Sequence, residues 1–403
     1  MRLGAVLLAL LLATAGMAQT FGVAARIDPG QSRIADEGAG ARIELSLSQG
    51  VPYRVFTLDA PRRLVVDFQE VDWTGLRPEA LLAPGRVSAV QFGTYVPGWS
   101  RLVAELAEPL AVTRAGIAID PAGGTARLTI ALAPVTAEAF AAAAGAPHDP
   151  RWDLPPPETL EPRAARQPGD PLRVVIDPGH GGIDPGAEAA GIDEKTLMLN
   201  FARELREVLV RSGGFDVVLT RDDDYFVSLE RRIAIAHEAG ADVFLSLHAD
   251  SLSEGLAHGA TVHVLSGEAS DVASEKLAER HDRDDLLAGV DLSGADDEVT
   301  SVLLDLARQE TQPRTQAMAE ALVQGMAEMG GPMNRRPLRA AGFSVLKAAD
   351  IPSVLIEIGF LTSPRDLKNL KTPEWRARMA QGIRNGLVRW RDSDAALRPL
   401  VRQ

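Results

Sequence analysis

The stretch Val174-Val175-Ile176-Asp177-Pro178-Gly179-His180-Gly181-Gly182 decides how this chain is read. A β-branched apolar run, as expected of a buried strand, stops at a glycine-rich turn that presents one histidine. Downstream, Glu194 opens a helical pattern behind Asp193, a good N-cap residue. Another apolar run ends in Ser246-Leu247-His248-Ala249-Asp250, and a third contains Ile356-Glu357-Ile358-Gly359-Phe360. His180, Glu194 and His248 are candidate metal ligands, because two imidazoles and a carboxylate fill three corners of a zinc tetrahedron and leave the fourth to water. Glu357 sits in an apolar strand, where an unpaired carboxylate is costly to bury. It either works as a general base at a polar cavity or pairs with an arginine.

From Arg173 onward strand and helix patterns alternate, which predicts an α/β domain with a twisted mixed sheet flanked by helices. Strands are expected at 173–177, 215–221, 241–247, 260–265 and 353–358. Helical faces run through Leu197, Phe201, Leu205 and Leu209, through Leu229, Ile233 and Ala236, and through Trp375, Met379, Ile383, Leu387 and Trp390. Both histidines then lie at carboxyl ends of strands, where open α/β sheets place their sites. Of the other histidines, His148 falls in a proline-rich stretch, His237 late in a helix and His258 in a loop. His263 alternates within a strand and is expected to be partly exposed.

Upstream, about residues 22–134 carry short alternating segments such as Ile43–Ser48, Tyr53–Leu58 and Arg63–Phe68, the pattern of a small all-β sandwich. Residues 135–171 are rich in alanine and proline and are expected to form a semi-rigid linker. Residues 1–18 combine Arg2, an apolar run and the small residues Gly16-Met17-Ala18, which predicts a cleavable signal peptide and export. The apolar run is short for a membrane span, and no later segment reads as one. With 403 residues, two domains are expected, and a net charge of −13 argues against nucleic acid and anionic membranes as partners. No cysteine is present, so neither disulfides nor thiolate ligands are available.

These residues give the chain its resemblance to a known family. Asp177-Pro178-Gly179-His180-Gly181-Gly182, Asp184-Pro185-Gly186-Ala187, Glu194-Lys195, Thr220-Arg221, Ser246-Leu247-His248-Ala249-Asp250 and Pro352 to Leu361 occur in order. Over about residues 172–393 they resemble the zinc-dependent N-acetylmuramoyl-L-alanine amidases of type 3, with the catalytic domain expected at 172–395. Pro61-Arg62-Arg63-Leu64-Val65-Val66-Asp67 in the β region resembles the AMIN domain that precedes such enzymes in the periplasm. The resemblance implies one Zn²⁺ held by His180, Glu194 and His248, with Glu357 handling the water's proton. It implies peptidoglycan as substrate, a role in cell-wall remodelling and cell division, a periplasmic location and a LytM-type activator protein. Arg231 would anchor structure or substrate, or else lie on a solvated helix face. The competing readings are another zinc peptidoglycan peptidase and a catalytically silent wall-binding protein.

Between about residues 267 and 310 lies a long insertion. Insertions of that length within a compact domain are functional or disordered. Residues 271–287 are rich in Glu, Lys, Ala and Leu and predict a helix. By resemblance to division amidases, this helix covers the zinc site, with Glu279 or His281 reaching the metal. The other reading is an exposed acidic surface insertion.

Overall fold

The computed structural model describes residues 24–69, 71–120, 123–147, 169–251, 258–287 and 300–401, without the side chains of 284–287, 300–310 and 397–401. The expected signal peptide, most of the proline-rich stretch and the acidic segment Asp291 to Glu298 lie outside them.

The N-terminal region contains β1 (Ala25–Arg26), β2 (Arg33–Glu37), β3 (Gly40–Leu47), β4 (Tyr53–Leu58), β5 (Arg63–Gln69) and β6 (Val71–Asp72). A short helix α1 (Pro78–Leu81) precedes β7 (Val87–Val96), β8 (Trp99–Leu106), β9 (Leu110–Ile119) and β10 (Ala126–Pro134). Two antiparallel sheets, ordered β2-β3-β10-β9 and β4-β5-β8-β7, face each other. Ile34, Ile43, Leu45, Leu64, Val66, Phe68, Leu102, Leu128 and Ile130 form the core between them, each fully buried. Helix α2 (Ala137–Ala143) follows, in the stretch assigned above to the linker. Thr136 caps it, and Phe140 packs into the sandwich core, so the folded region runs past residue 134.

In β5 nearly every residue is buried, without the alternation of a one-sided strand. The reason lies on its outer face. Phe56, Leu58, Val65 and Val103 pack with Ile183 and Phe226 of the C-terminal domain, so this sheet is covered on both sides.

The C-terminal domain is built on β11 (Leu172–Pro178), β14 (Phe215–Leu219), β15 (Val243–His248), β16 (Ala260–Leu265), β17 (Met333–Ala341) and β18 (Ser353–Glu357), ordered β14-β11-β15-β18-β16-β17. The first four in that order run parallel, while β16 runs antiparallel to β18, giving the expected mixed sheet. A small ribbon of β12 (Glu188–Ala189) and β13 (Ile192–Asp193) precedes helix α3 (Glu194–Ser212). Then come α4 (Leu229–Glu238), α5 (Val272–Leu287), α6 (Thr300–Glu328), α7 (Pro364–Leu370) and α8 (Pro373–Val401). Met198, Phe201, Leu205 and Leu209 of α3 and Trp375, Met379, Ile383, Leu387 and Trp390 of α8 bury their faces in one core.

Among the longer strands, two escape the sequence pattern. β9 has an exposed middle, and β17 reads Met-Asn-Arg-Arg-Pro-Leu-Arg-Ala-Ala, with Pro337 and three arginines. Such a strand is tolerated at a sheet edge, where β17 lies. No helix among the described residues is long and apolar enough to cross a membrane.

Candidate metal centre

The parallel register places His248 opposite Glu357 at the carboxyl ends of β15 and β18, one strand over from the end of β11. Asp177 of β11 is fully buried and accepts hydrogen bonds from Thr220 Oγ1 (2.6 Å), Ser246 Oγ (2.7 Å) and Arg232 Nη1 (2.6 Å). Burial opposes its charge, but Arg232 and the two hydroxyls hold its carboxyl below the usual range. Arg232 also donates to Pro178 O and His180 O, each at 3.0 Å. Arg221 donates to the carbonyls of Pro178, Gly179 and Lys195 at 2.9 to 3.1 Å. Its own pKa falls to about 10, first through burial and then through the charge of Arg232.

These two arginines fix the turn in which His180 adopts φ +59°, a sparsely populated conformation for a residue with a Cβ. Gly179 is required by a close approach, because a Cβ there would lie 2.3 Å from the His248 ring. Arg231, by contrast, pairs with Glu238 along α4 at 2.6 Å and does not line the site cavity. Its neighbour Arg232 does the anchoring.

His180 Nδ1 and Asp184 Oδ2 are 2.6 Å apart, which leaves Nε2 facing inward, 3.3 Å from Glu194 Oε2. A carboxylate behind an imidazole fixes the tautomer and raises ligand basicity, as is usual for metal-bound histidines. Glu194 is fully buried in the first turn of α3, behind the Asp193 cap. It accepts from the Ala187 and Ala249 amides (3.0 and 2.8 Å) and lies 3.1 Å from His248 Nδ1. The three sequence-predicted ligands therefore come together.

Electrostatics sort these groups. Burial opposes charge on Glu194, yet His180 and His248 draw its pKa well below the carboxylate value. Burial likewise opposes charge on His180, but Asp184 and Glu194 raise it well above the usual imidazole value. Burial, and then the neighbouring His281, lowers His248 to about 4.

His281 arrives from α5. Its ligand nitrogen and those of His180 and His248 all lie within 4.8 Å of one another, and its ring stacks on His248 at 4.2 Å. Both of its nitrogens are buried without a hydrogen-bond partner, as is His180 Nε2. Orphaned buried nitrogens cost free energy unless something fills the space between them. Three imidazoles and a carboxylate, with no sulfur, fit Zn²⁺.

Glu357 is fully buried, and no arginine pairs with it among the described residues. Its Oε2 accepts the Asp250 amide at 3.0 Å, while Oε1 has no partner. Burial first, then the charges of Glu194 and Asp250, push its pKa well above the carboxylate range. A carboxyl so perturbed beside candidate ligands has the character of an acid–base group.

Of the two residues proposed to plug the site, the buried His281 reaches it and Glu279 is exposed. The helix is not a merely solvated insertion. Leu277 and Ala278 pack in a core cluster with Phe343 and Val345, and Asp282 accepts from Ser344 N (3.1 Å) and Oγ (2.8 Å). Arg280 reaches Asp250 Oδ1 at 2.7 Å. The cavity that remains among His180, His248, His281 and Phe343 is about 20 Å³, room for little more than one water.

His263 is buried rather than partly exposed. It bonds Thr261 Oγ1 at 2.9 Å and packs on Phe343 at 5.2 Å, while burial and then Arg339 lower it to about 3. The sequence alone assigns no role to Asp184, Arg232 or Asp250, although Asp184 and Asp250 belong to the matching motifs and Arg232 follows Arg231.

The family model for N-acetylmuramoyl-L-alanine amidase matches residues 174–389, and the AMIN domain model matches residues 31–121. The N-acetylmuramoyl-L-alanine amidase AmiC of Neisseria meningitidis is 32% identical over 87% of this chain and 86% of its own. AmiC of Escherichia coli is 29% identical over 86% of this chain and 85% of its own. The catalytic domain of CwlV from Bacillus (Paenibacillus) polymyxa var. colistinus is 26% identical, with a TM-score of 0.40 over 55% of this chain and 98% of that one. With the catalytic-domain model matched over more than half its length, and with the motifs of that match converging on one buried centre, the chain belongs to the N-acetylmuramoyl-L-alanine amidase family.

Proposed function

We propose that this chain is a zinc-dependent peptidoglycan amidase that hydrolyses the amide between N-acetylmuramic acid and L-alanine, and that α5 holds it inactive. The observation that carries the reading is the convergence of His180, Glu194 and His248 beside buried Glu357, the register neighbour of His248, whose Oε1 has no partner. His180, Glu194 and His248 would hold the metal. Bound there, Zn²⁺ would supply Lewis acidity and lower the pKa of water toward about 7. Glu357 takes the water's proton on Oε1 and passes it to the departing alanine nitrogen. Asp184 and Arg232 keep the His180 ring and backbone in place.

Export to the periplasm, a wall-targeting role for the β domain, release by a LytM-type activator and use in daughter-cell separation complete the proposal. Their supports are the leader-like residues 1–18, the AMIN match and the fit of α5 over the site.

The test is metal analysis together with product analysis on purified peptidoglycan, run on the His281→Ala chain so that α5 does not mask the activity. One equivalent of zinc and release of whole stem peptides is the expected result. Release of shorter peptides would indicate another peptidase, and metal-free, inert protein would indicate a wall-binding role. A sharper expectation concerns Asp184. Replacing it with asparagine keeps the fold but weakens zinc binding about 10- to 100-fold, measured by competition with a chromophoric chelator. Undiminished affinity would remove Asp184 from the site.

A further inference from the structure

The β domain does more than sit at the end of a tether. Gly93-Thr94-Tyr95 of β7 presses directly on the loop that follows His180. The Ile183 amide donates to Thr94 O at 3.1 Å. A Cβ on Gly182 would lie 1.9 Å from Thr94 O, and a Cβ on Gly93 would lie 2.6 Å from Gly182 O. Backbone therefore meets backbone, with a glycine on each side permitting the approach.

Aromatic packing flanks this contact. Tyr95 stacks on Phe226 at 5.5 Å with 13° between planes, and Arg101 lies over the Tyr95 ring, 3.6 Å from its centroid. Arg101 is itself held by buried Asp67 at 2.6 and 3.1 Å. Phe226 also lines the cavity at His180 and His248, so one ring touches both the β domain and the site. From the other side, Lys195 Nζ donates to Gly182 O at 2.7 Å. The loop that carries the strained His180 is thus gripped between its own domain and β7. Strained conformations persist only where the surroundings over-determine them.

We propose that Gly93, Thr94 and Tyr95 are positioning residues for the metal centre, so that docking of the β domain sets how tightly the site holds its ion. The proposal rests on the reading of His180 as a ligand.

The experiment uses the full-length chain and Co²⁺ as the probe, read by its visible absorption and by titration. Gly93→Ala forces the Gly182 carbonyl away, and Tyr95→Ala removes the stack. Gly116→Ala, with nothing within 4 Å of its Cβ, is the control in the same domain. Expected is a loss of Co²⁺ affinity of about tenfold in Gly93→Ala, the scale of losing ligand support. A smaller loss is expected in Tyr95→Ala, and both should show altered absorption bands. Gly116→Ala should match the parent. Circular dichroism checks that each variant is folded, and Tyr95→Ala serves if Gly93→Ala is not. Parent-like Co²⁺ affinity and spectrum in folded variants would overturn the proposal. Failure of the parent chain itself to bind Co²⁺ would instead overturn the metal reading.

Discussion

Glu357→Gln should lower peptidoglycan hydrolysis by about 10²- to 10⁴-fold, the usual contribution of a positioned acid–base group, while leaving the metal content unchanged. The substitution is close to isosteric, and its carbonyl oxygen can still accept the Asp250 amide that Oε2 now accepts at 3.0 Å. What it removes is the capacity of Oε1 to take and return a proton. None of His180, Glu194 and His248 depends on Glu357 for a hydrogen bond, so the ligand set should remain. Rates on purified cell wall, measured in the parent and in a His281→Ala background, with zinc determined on the same samples, provide the check. A loss of less than about tenfold would assign Glu357 a packing role, because general acid–base catalysis supplies more than that.

How far this was legible in the sequence follows from what kind of signal each residue carries. The strand that leads to the His180 turn and those ending at His248 and Glu357 announce themselves as apolar β-branched runs broken by glycine or by one polar residue. Hydrophobic period and turn chemistry are local properties. Asp193 marked the start of α3 for the same reason. The arginines differ, because Arg231 and Arg232 are adjacent and chemically identical. Only the packing of α4 against β11 turns Arg232 inward to Asp177 at 2.6 Å and leaves Arg231 to Glu238. Likewise Glu279 and His281 share a helix, and which of them points inward depends on Leu277 and Ala278 docking against Phe343. β17 carries three arginines and a proline, so no periodicity reveals it. The unbroken apolarity of Leu64-Val65-Val66 did carry a message, a sheet buried on both faces, but the second face is supplied by Ile183 and Phe226, more than a hundred residues away in sequence.

The second large effect concerns α5. His281→Ala should raise basal hydrolysis at least about tenfold without an activator, and His281→Ala/Asp282→Ala should raise it further, toward about 100-fold. His281 is 6% exposed and stacked on His248, so under the proposed mechanism its imidazole would stand in the way of substrate. Removing it opens that space even while the helix stays. Asp282 ties the helix to Ser344 through two hydrogen bonds, each worth about 0.5–1.5 kcal/mol. Losing them shifts the population toward the released helix, and every 1.4 kcal/mol is about tenfold in that ratio. Arg280 adds less, since its side chain is 40% exposed and its pair with Asp250 is partly screened by solvent. Glu279→Ala is the internal control, being on the exposed side of the same helix. Deleting residues 271–287 also removes Leu277 and Ala278 from their cluster, so the point variants separate unplugging from loss of packing. Dye release from labelled peptidoglycan gives the rates. Equal basal rates in the parent and in His281→Ala, with zinc retained in both, would show that α5 covers the site without restraining it.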